Sequence, residues 1–301
     1  KKAALNKNRT LRGFMEIEYL PRAELNQAAR TIALKKGLMN HWLAPLAEMM
    51  LSDITPVELE NEVVRPMSQA GKSPVYIRHA LNLVSTLWNA AAELGLVGGE
   101  NPASKVKKPK TDNQRDRFLT KDEAAAMLKV LKETSPVVHD IAILSLFSGL
   151  RVGECLALTW PDVDFESGLI FVKDTKNKRN RHAHLTAEIR EMLVRRHQEQ
   201  SKTAMVFPQS CYDQIYGHVN KYFNMAVNEL GLNDGVTDRR QRVVIHTLRH
   251  TFASWLVQMG TPLYTVSKLM GHSSIKMTER YAHLAPDTQK TAVMDLQGIL
   301  E

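Results

Sequence analysis

Cysteine is scarce in this chain of 301 residues: only Cys155 and Cys211 occur, far apart and in no metal-ligand spacing. Such a pair makes no disulfide framework, and a reducing cytosol is the expected setting. Aromatic residues are also few, at 6%. Long apolar runs are missing. The stretch Ile141–Phe147 is far too short to span a bilayer, and no apolar segment follows the basic N-terminus as a signal peptide would require. Membrane proteins and disulfide scaffolds are thereby set aside, and neither an internal repeat nor a low-complexity block is visible. What the chain does hold is enough hydrophobic residue for real cores, 44%, and a formal charge of +8. The length suits one large domain or two ordinary ones. The charge favours an anionic partner, although solvated lysines alone produce the same balance.

Residues 1–16 are polar and basic, with Lys1, Lys2, Lys7, Arg9 and Arg12. They are expected to form a flexible arm, or the tail of an upstream module removed from a chain that opens on lysine. Residues 17–102 have helical character. Trp42, Leu43, Leu46, Met49 and Met50 recur at helical spacing. Thr55-Pro56 and Ser73-Pro74 each look like a cap followed by proline at the first helical position. The second of these opens an apolar face of Ile77, Leu81, Val84, Leu87 and Trp88, with Arg78 interleaved. Residues 103–117 lose hydrophobic periodicity and carry Lys105, Lys107, Lys108 and Lys110, so they are expected to be an interdomain linker. A second domain, 118–285, opens on the capping box Thr120-x-x-Glu123. It continues with a buried helix over 137–147 and a small β structure from Leu169–Lys173 and about Arg181–Leu185, joined by a lysine-rich turn. Residues 286–301 carry a short amphipathic pattern after Pro286, expected to dock on a partner protomer.

The chain is organised around 245–284. His246, Arg249 and His250 stand three and four residues apart, so a helix puts them on one face. Gly271, just before His272, reads as a helix C-cap, and Ser273 or Ser274 as the cap of a following helix that carries Tyr281. Imidazole, guanidinium and phenol together suit a phosphodiester: arginine forks onto phosphate oxygens, histidine donates a hydrogen bond or moves a proton, and tyrosine can attack phosphorus. His246 and His250 also have the spacing of a zinc-binding helix. The zinc-protease form needs glutamate after the first histidine, where this chain has Thr247, and Arg249 would set a fixed positive charge beside the cation. No metal is expected.

These residues and their flanks, Ser148-Gly149-Leu150-Arg151-Val152-Gly153-Glu154, His246-Thr247-Leu248-Arg249, Leu269-Met270-Gly271-His272 and Thr278-Glu279-Arg280-Tyr281, resemble the tyrosine recombinase (phage integrase) family. The resemblance is close over roughly Phe118 to Ala285 and looser in the helical region before it. It implies a mainly α fold, with an all-helical core-binding domain and a mainly helical catalytic domain holding a small antiparallel sheet. It implies site-specific DNA recombination through a covalent 3′-phosphotyrosine, with no cofactor, metal or ATP. Arg151 and Arg249 would grip the scissile phosphate, and Glu154 would hold neighbouring groups of the site. Lys176, on the lysine-rich turn, would protonate the leaving 5′ oxygen, with Lys178 as the fallback. His246 would accept the proton of, or hydrogen-bond to, Tyr281, the nucleophile. His272 would donate to phosphate, and His250 and His283 would have structural or peripheral roles. Arg78, Lys105, Lys107, Lys108 and Lys110 are the expected DNA contacts. The implied partners are double-stranded DNA, three further copies in a homotetramer on two sites, and accessory DNA-bending or directionality proteins, in a bacterial cytoplasm. Strand relaxation of the type IB topoisomerase kind, and a catalytically dead DNA-binding regulator, are the alternatives on the same scaffold.

Overall fold

The computed structural model describes residues 9–109, 117–173, 180–200, 204–208 and 212–286. The chain divides into two compact units, Lys1–Asp112 and Asn113–Glu301. The longer helices are numbered in chain order.

In the first unit, Leu11–Phe14, a π-helical turn Met15–Tyr19 and Leu20–Asn26 succeed one another, started by the Thr10 side chain accepting from Gly13 N. This corrects the expected arm over 1–16 for residues 9–16; residues 1–8 lie outside the described residues. Leu11, Phe14 and Met15 fall at i, i+3 and i+4 and are buried in the first core. That apolar triplet outweighs the basic residues around it. Helix α1 (Ala29–His41) follows. The helical spacing beyond it gives no α-helix: the chain makes a 3₁₀ turn, Ala44–Leu46, around Pro45, and still buries Leu43 and Leu46. Helix α2 (Pro74–Glu93) starts at Ser73, whose hydroxyl accepts from Tyr76 N at 3.3 Å. It buries Ile77, Leu81, Val84 and Leu87, each contributing roughly 2 kcal/mol by leaving water.

The expected linker also starts later than its composition suggests. Asn101 accepts from Ala103 N and donates to Ser85 and Asn89, which sets a helical turn, Pro102–Lys105. That turn carries Ala103 and Val106 into the first core.

The second unit opens with Thr120 and Glu123 capping each other's backbone N–H groups at 3.1 and 2.8 Å before α3 (Lys121–Thr134). Helix α4 (Pro136–Ser148) is apolar on nearly every face and sits in the centre of the core. It ends at Gly149, φ +67°, in the left-handed region. The short helix Val152–Leu156 precedes a three-stranded antiparallel sheet of order β1-β2-β3. Its strands are β1 (Val163–Asp164), β2 (Leu169–Val172) and β3 (Arg181–His184). Ile170 and Ala183 are partners in the register and are both buried. Helices α5 (Ala187–Gln200), α6 (Tyr212–Glu229), α7 (His246–Gln258) and α8 (Leu263–Met270) complete the unit, with 3₁₀ turns at Ile275–Met277 and Glu279–Leu284. Among the described residues no helix is long and apolar enough to cross a membrane. Apart from Pro286, the C-terminal segment 286–301 lies outside the described residues.

Candidate active site

Helix α7 packs against α4, α8 and the last 3₁₀ turn, so its polar first turns are enclosed by other elements. The back of the helix is tied to the opening of the unit: Thr251 Oγ1 accepts from Leu119 N at 2.9 Å, and Trp255 Nε1 donates to Leu119 O at 3.1 Å. Its front turns face a cleft of about 320 Å³ lined by Arg151, His246, Arg249, His250, His272, Lys276, Arg280 and Tyr281, with Met270 and Met277. Five of the sequence-predicted catalytic candidates therefore share one cleft. Lys176, with its fallback Lys178, lies outside the described residues.

Arg249 is 1% exposed. Its Nη1 donates to the Gly149 carbonyl and its Nη2 to the Met270 carbonyl. Both carbonyls stand where a helix ends, α4 in one case and α8 in the other, and would otherwise be short of donors. One guanidinium thus fixes the loop carrying Arg151 to the turn carrying His272. Both loops also depend on glycine. A Cβ on Gly149 would lie 2.5 Å from the Phe252 ring, and one on Gly271, φ +62°, would lie 2.8 Å from Arg181 Cδ. Burial and the charge of Arg151 push the Arg249 pKa down to about 9, against the pull of Glu154, so it remains charged at neutral pH.

Glu154 collects the surrounding cations. Its carboxylate accepts from Arg151 N and Nη1 at 2.7 and 2.8 Å and from Arg181 Nη1 and Nη2 at 3.0 and 2.7 Å, and Arg249 Nη1 stands 3.8 Å away. Burial opposes its ionisation, but the hydrogen bonds and charge of Arg181 prevail and bring its pKa down to about 2. Arg181, at the start of β3, also donates through Nε to Leu269 O at 3.2 Å. It therefore joins the sheet to the end of α8. Sequence reading treated Arg181 only as a strand residue. The signal was faint: one more arginine beside a basic turn, with its partner 27 positions away.

His272 follows the left-handed Gly271 and bonds through Nδ1 to Thr278 Oγ1 at 2.7 Å. Burial, then the charges of Arg249, Arg151, Arg181 and Arg280, push its pKa down to about 4, so the ring is neutral at pH 7. Ser274 does act as a cap, accepting from Lys276 N, but of a 3₁₀ turn rather than an α-helix. Tyr281 is 4% exposed and packs among Ala253, Val257, Val266 and Met270. Burial holds its pKa above that of an ordinary phenol, while the charges of Arg280 and Arg249 pull it back. The phenol hydroxyl is hydrogen-bonded to His250 Nδ1. His250 was expected in a structural or peripheral role and His246 beside the phenol. Both share the helix face, but Tyr281 meets the turn one step further along, and the exposed His246 packs edge-on against His250, ring centroids 4.9 Å apart.

The expected DNA contacts lie in the first unit. Lys105 pairs with Glu100 at 2.8 Å, Lys108 donates to Asn82 at 3.3 Å, and Lys107 is exposed. Arg78 is half-buried on α2, and Lys110 lies outside the described residues. No three potential metal-ligating side chains converge among the described residues.

Residues 117–288 match the model of the phage integrase family. The chain is 29% identical over 221 residues to a putative integrase of Pseudomonas phage Pf1, covering 73% of this chain and 61% of that protein. It is 32% identical over 189 residues to the tyrosine recombinase XerC of Xanthomonas axonopodis pv. citri, covering 61% and 59%. The chain thus spans about 60% of the length of these curated relatives. Its fold is shared with a lambda integrase solved as a tetramer bound to a Holliday junction, with a TM-score of 0.72 and 19% identity over 96% of this chain and 81% of that one. The chain belongs to the phage integrase family. Mainly helical units with one small antiparallel sheet are the architecture expected from the sequence.

Proposed function

We propose that this chain is a site-specific DNA recombinase that cuts and rejoins DNA through a covalent bond between Tyr281 and a 3′ phosphate. One observation carries this reading: a buried tyrosine, its hydroxyl bonded to His250, lines a cleft that Arg151, Arg249 and His272 also line. A cleft so rich in fixed positive charge suits the charge that builds on phosphate oxygens in the transition state. Arg151 and the guanidinium edge of Arg249 not used by carbonyls bind those oxygens. With Thr278 donating to its Nδ1, His272 carries its proton on Nε2 and donates it in a hydrogen bond to the phosphate. His246, at the exposed edge, contacts the phosphate or its neighbours. Lys176 protonates the departing 5′ oxygen. The bond energy is retained in the phosphotyrosine, so a second DNA end reverses the step without ATP.

Lys105, Lys107, Lys108, Lys110 and Arg78 contact the DNA backbone, and 17–102 acts as the core-binding domain ahead of the catalytic domain 118–285. Assembly on DNA is a homotetramer over two sites, supported by the family's lambda integrase tetramer on a Holliday junction. Residues 286–301 contact a neighbouring protomer, and accessory DNA-bending or directionality proteins act with the complex in the bacterial cytoplasm. The test is covalent trapping on fragmented bacterial genomic DNA, followed by sequencing of the attached ends. The wild-type protein forms an adduct resistant to denaturation. Tyr281→Phe binds the same DNA and forms none, because only the attacking oxygen is lost. An adduct formed by the Phe variant would overturn the assignment.

A further inference from the structure

We propose that His250 is the group that takes the proton from Tyr281 as its oxygen attacks phosphorus, an inference that rests on the proposed recombinase function. The contact is direct: Nδ1 of His250 is bonded to the phenol hydroxyl, and the two rings stand 6.0 Å apart between centroids. As acceptor, Nδ1 is unprotonated and the ring carries its proton on Nε2. Helix α7 holds His250 in place, 7% exposed, and the phenol reaches it from the 3₁₀ turn Glu279–Leu284. His246 lines the same cleft at its solvent-exposed edge, edge-on to the inner ring. The two histidines therefore divide the work by depth: the outer one meets the substrate, the inner one the nucleophile.

Burial works against a phenolate here, so the phenol needs a base in direct contact, and two nearby cations offset part of the cost. Arg249 lines the same cleft, and Arg280 Cζ lies 5.8 Å from the centre of the Tyr281 ring. Their positive charges favour the phenolate that forms as the proton moves. The step balances. The O–H bond of Tyr281 breaks and its proton goes to Nδ1, while the oxygen forms a bond to phosphorus. The bond from phosphorus to the 5′ oxygen breaks, and that oxygen leaves with its electron pair and takes a proton from a separate donor. On resealing, the incoming 5′ hydroxyl gives its proton back to that separate donor as its oxygen displaces Tyr281, and the imidazolium returns the other proton to the phenolate. General-base assistance of this kind contributes about 10²–10⁴-fold.

The experiment uses the full chain in single-turnover reactions on a nicked duplex carrying the site recovered from wild-type adducts. His250→Asn keeps an acceptor oxygen close to the position of Nδ1 but takes up no proton. It is expected to bind the duplex as the wild type does and to form adduct about a hundredfold more slowly. His250→Gly leaves a space the size of the lost ring, and added imidazole is expected to raise its rate at least about tenfold in a concentration-dependent way. The same imidazole does nothing for His246→Gly. Cleavage by His250→Asn within about threefold of wild type overturns the proposal, because the proton would then have another destination. A slow Asn variant with no imidazole rescue of His250→Gly overturns it too, since the ring would then only position the phenol. Rescue of His246→Gly alone assigns the proton to the outer histidine. The wild-type adduct on the same gel keeps the two claims apart: its absence sinks the recombinase reading, whereas its presence beside an undiminished Asn variant sinks only this one.

Discussion

The two units of this chain spend their interiors differently. Among the described residues, every buried polar or charged side chain lies in the second unit, including Asp140, Arg196, Arg249, His250 and Thr278, whereas the buried side chains of the first are apolar. Burying polar groups is a poor way to gain stability, because desolvation takes back most of what pairing gives. The first unit has no need of it. Leucines, valines and methionines hold it together and leave its charges on the surface, where a long anionic partner can meet them.

Within the second unit the buried charges are of two sorts. Asp140 accepts from Arg195 and Arg196, and Arg196 also donates to Val206 O, a strut between α4 and α5 that none of the cleft residues joins. The other sort surrounds the cleft, where Arg249, Arg181 and Glu154 hold one another and the ends of two helices. This placement implies that the cleft's charges are fixed by the fold before any substrate arrives. The largest expected effect tests it. Arg249→Ala leaves the Gly149 and Met270 carbonyls without their donor and should destabilise the second unit by about 3–5 kcal/mol, with adduct formation lost. Leu81→Ala in the first core should cost a similar 2–5 kcal/mol by opening a cavity, yet keep the adduct at a temperature where the variant stays folded. Hydrogen exchange reads the two units separately. An Arg249→Ala protein as stable as wild type would end the comparison.

A smaller effect is expected at Arg181, which touches Glu154 but does not line the cleft. Glu154 has a folded pKa of about 2, below its ordinary 4.5, so folding favours its ionised form. The stability it contributes is complete above pH 4.5 and is lost as pH falls from there towards 2. In Arg181→Leu the burial of Glu154 is no longer offset by that partner, so its folded pKa rises towards 4.5 and the stability that its ionisation contributes above pH 4.5 shrinks. The acid-unfolding midpoint should move up by about one pH unit. Adduct formation near neutral pH should slow about tenfold to a hundredfold as Arg151 and the Gly271 turn lose their alignment. An acid limb identical to wild type would show that Arg181 is not what holds the carboxylate.

The sequence was legible wherever the signal was local. Thr55, Ser73 and Thr120 cap the helices their spacing announced, β2 and β3 lie on either side of the lysine-rich turn as expected, though β1 was not foreseen, and Gly271 ends α8. Five cleft residues were readable because the family writes them in short runs with typical flanks. What could not be read depends on which surfaces meet. Leu11, Phe14 and Met15 are core only because other helices cover them. Ala103 and Val106 look like linker until Asn101 folds the chain back onto α2. The bond from His250 to Tyr281 crosses 31 positions, and the one from Arg249 to Gly149 crosses 100. Spacing along a helix chose the right face of α7 but not which of its two histidines the phenol would meet.

The smallest effect concerns the basic stretch at the end of the first unit, and it tests whether surface charge there meets DNA at all. Each phosphate neutralised by a lysine makes binding fall with salt at a log–log slope of about 0.9. Lys107 is exposed. Lys105 is held by Glu100 and Lys108 by Asn82, but both contacts lie at the surface, where an ion pair is worth about 0–1 kcal/mol. Exchanging either for a phosphate therefore costs little. Replacing Lys105, Lys107, Lys108 and Lys110 by alanine should flatten the slope by about three and a half units, and Lys107→Ala alone by about one, with the adduct rate on bound DNA unchanged. Arg249→Ala, by contrast, should leave the slope nearly as it was while abolishing the chemistry. The measurement is binding of one duplex across a range of salt concentrations, and a quadruple variant with the wild-type slope would mean that these lysines never touch the backbone.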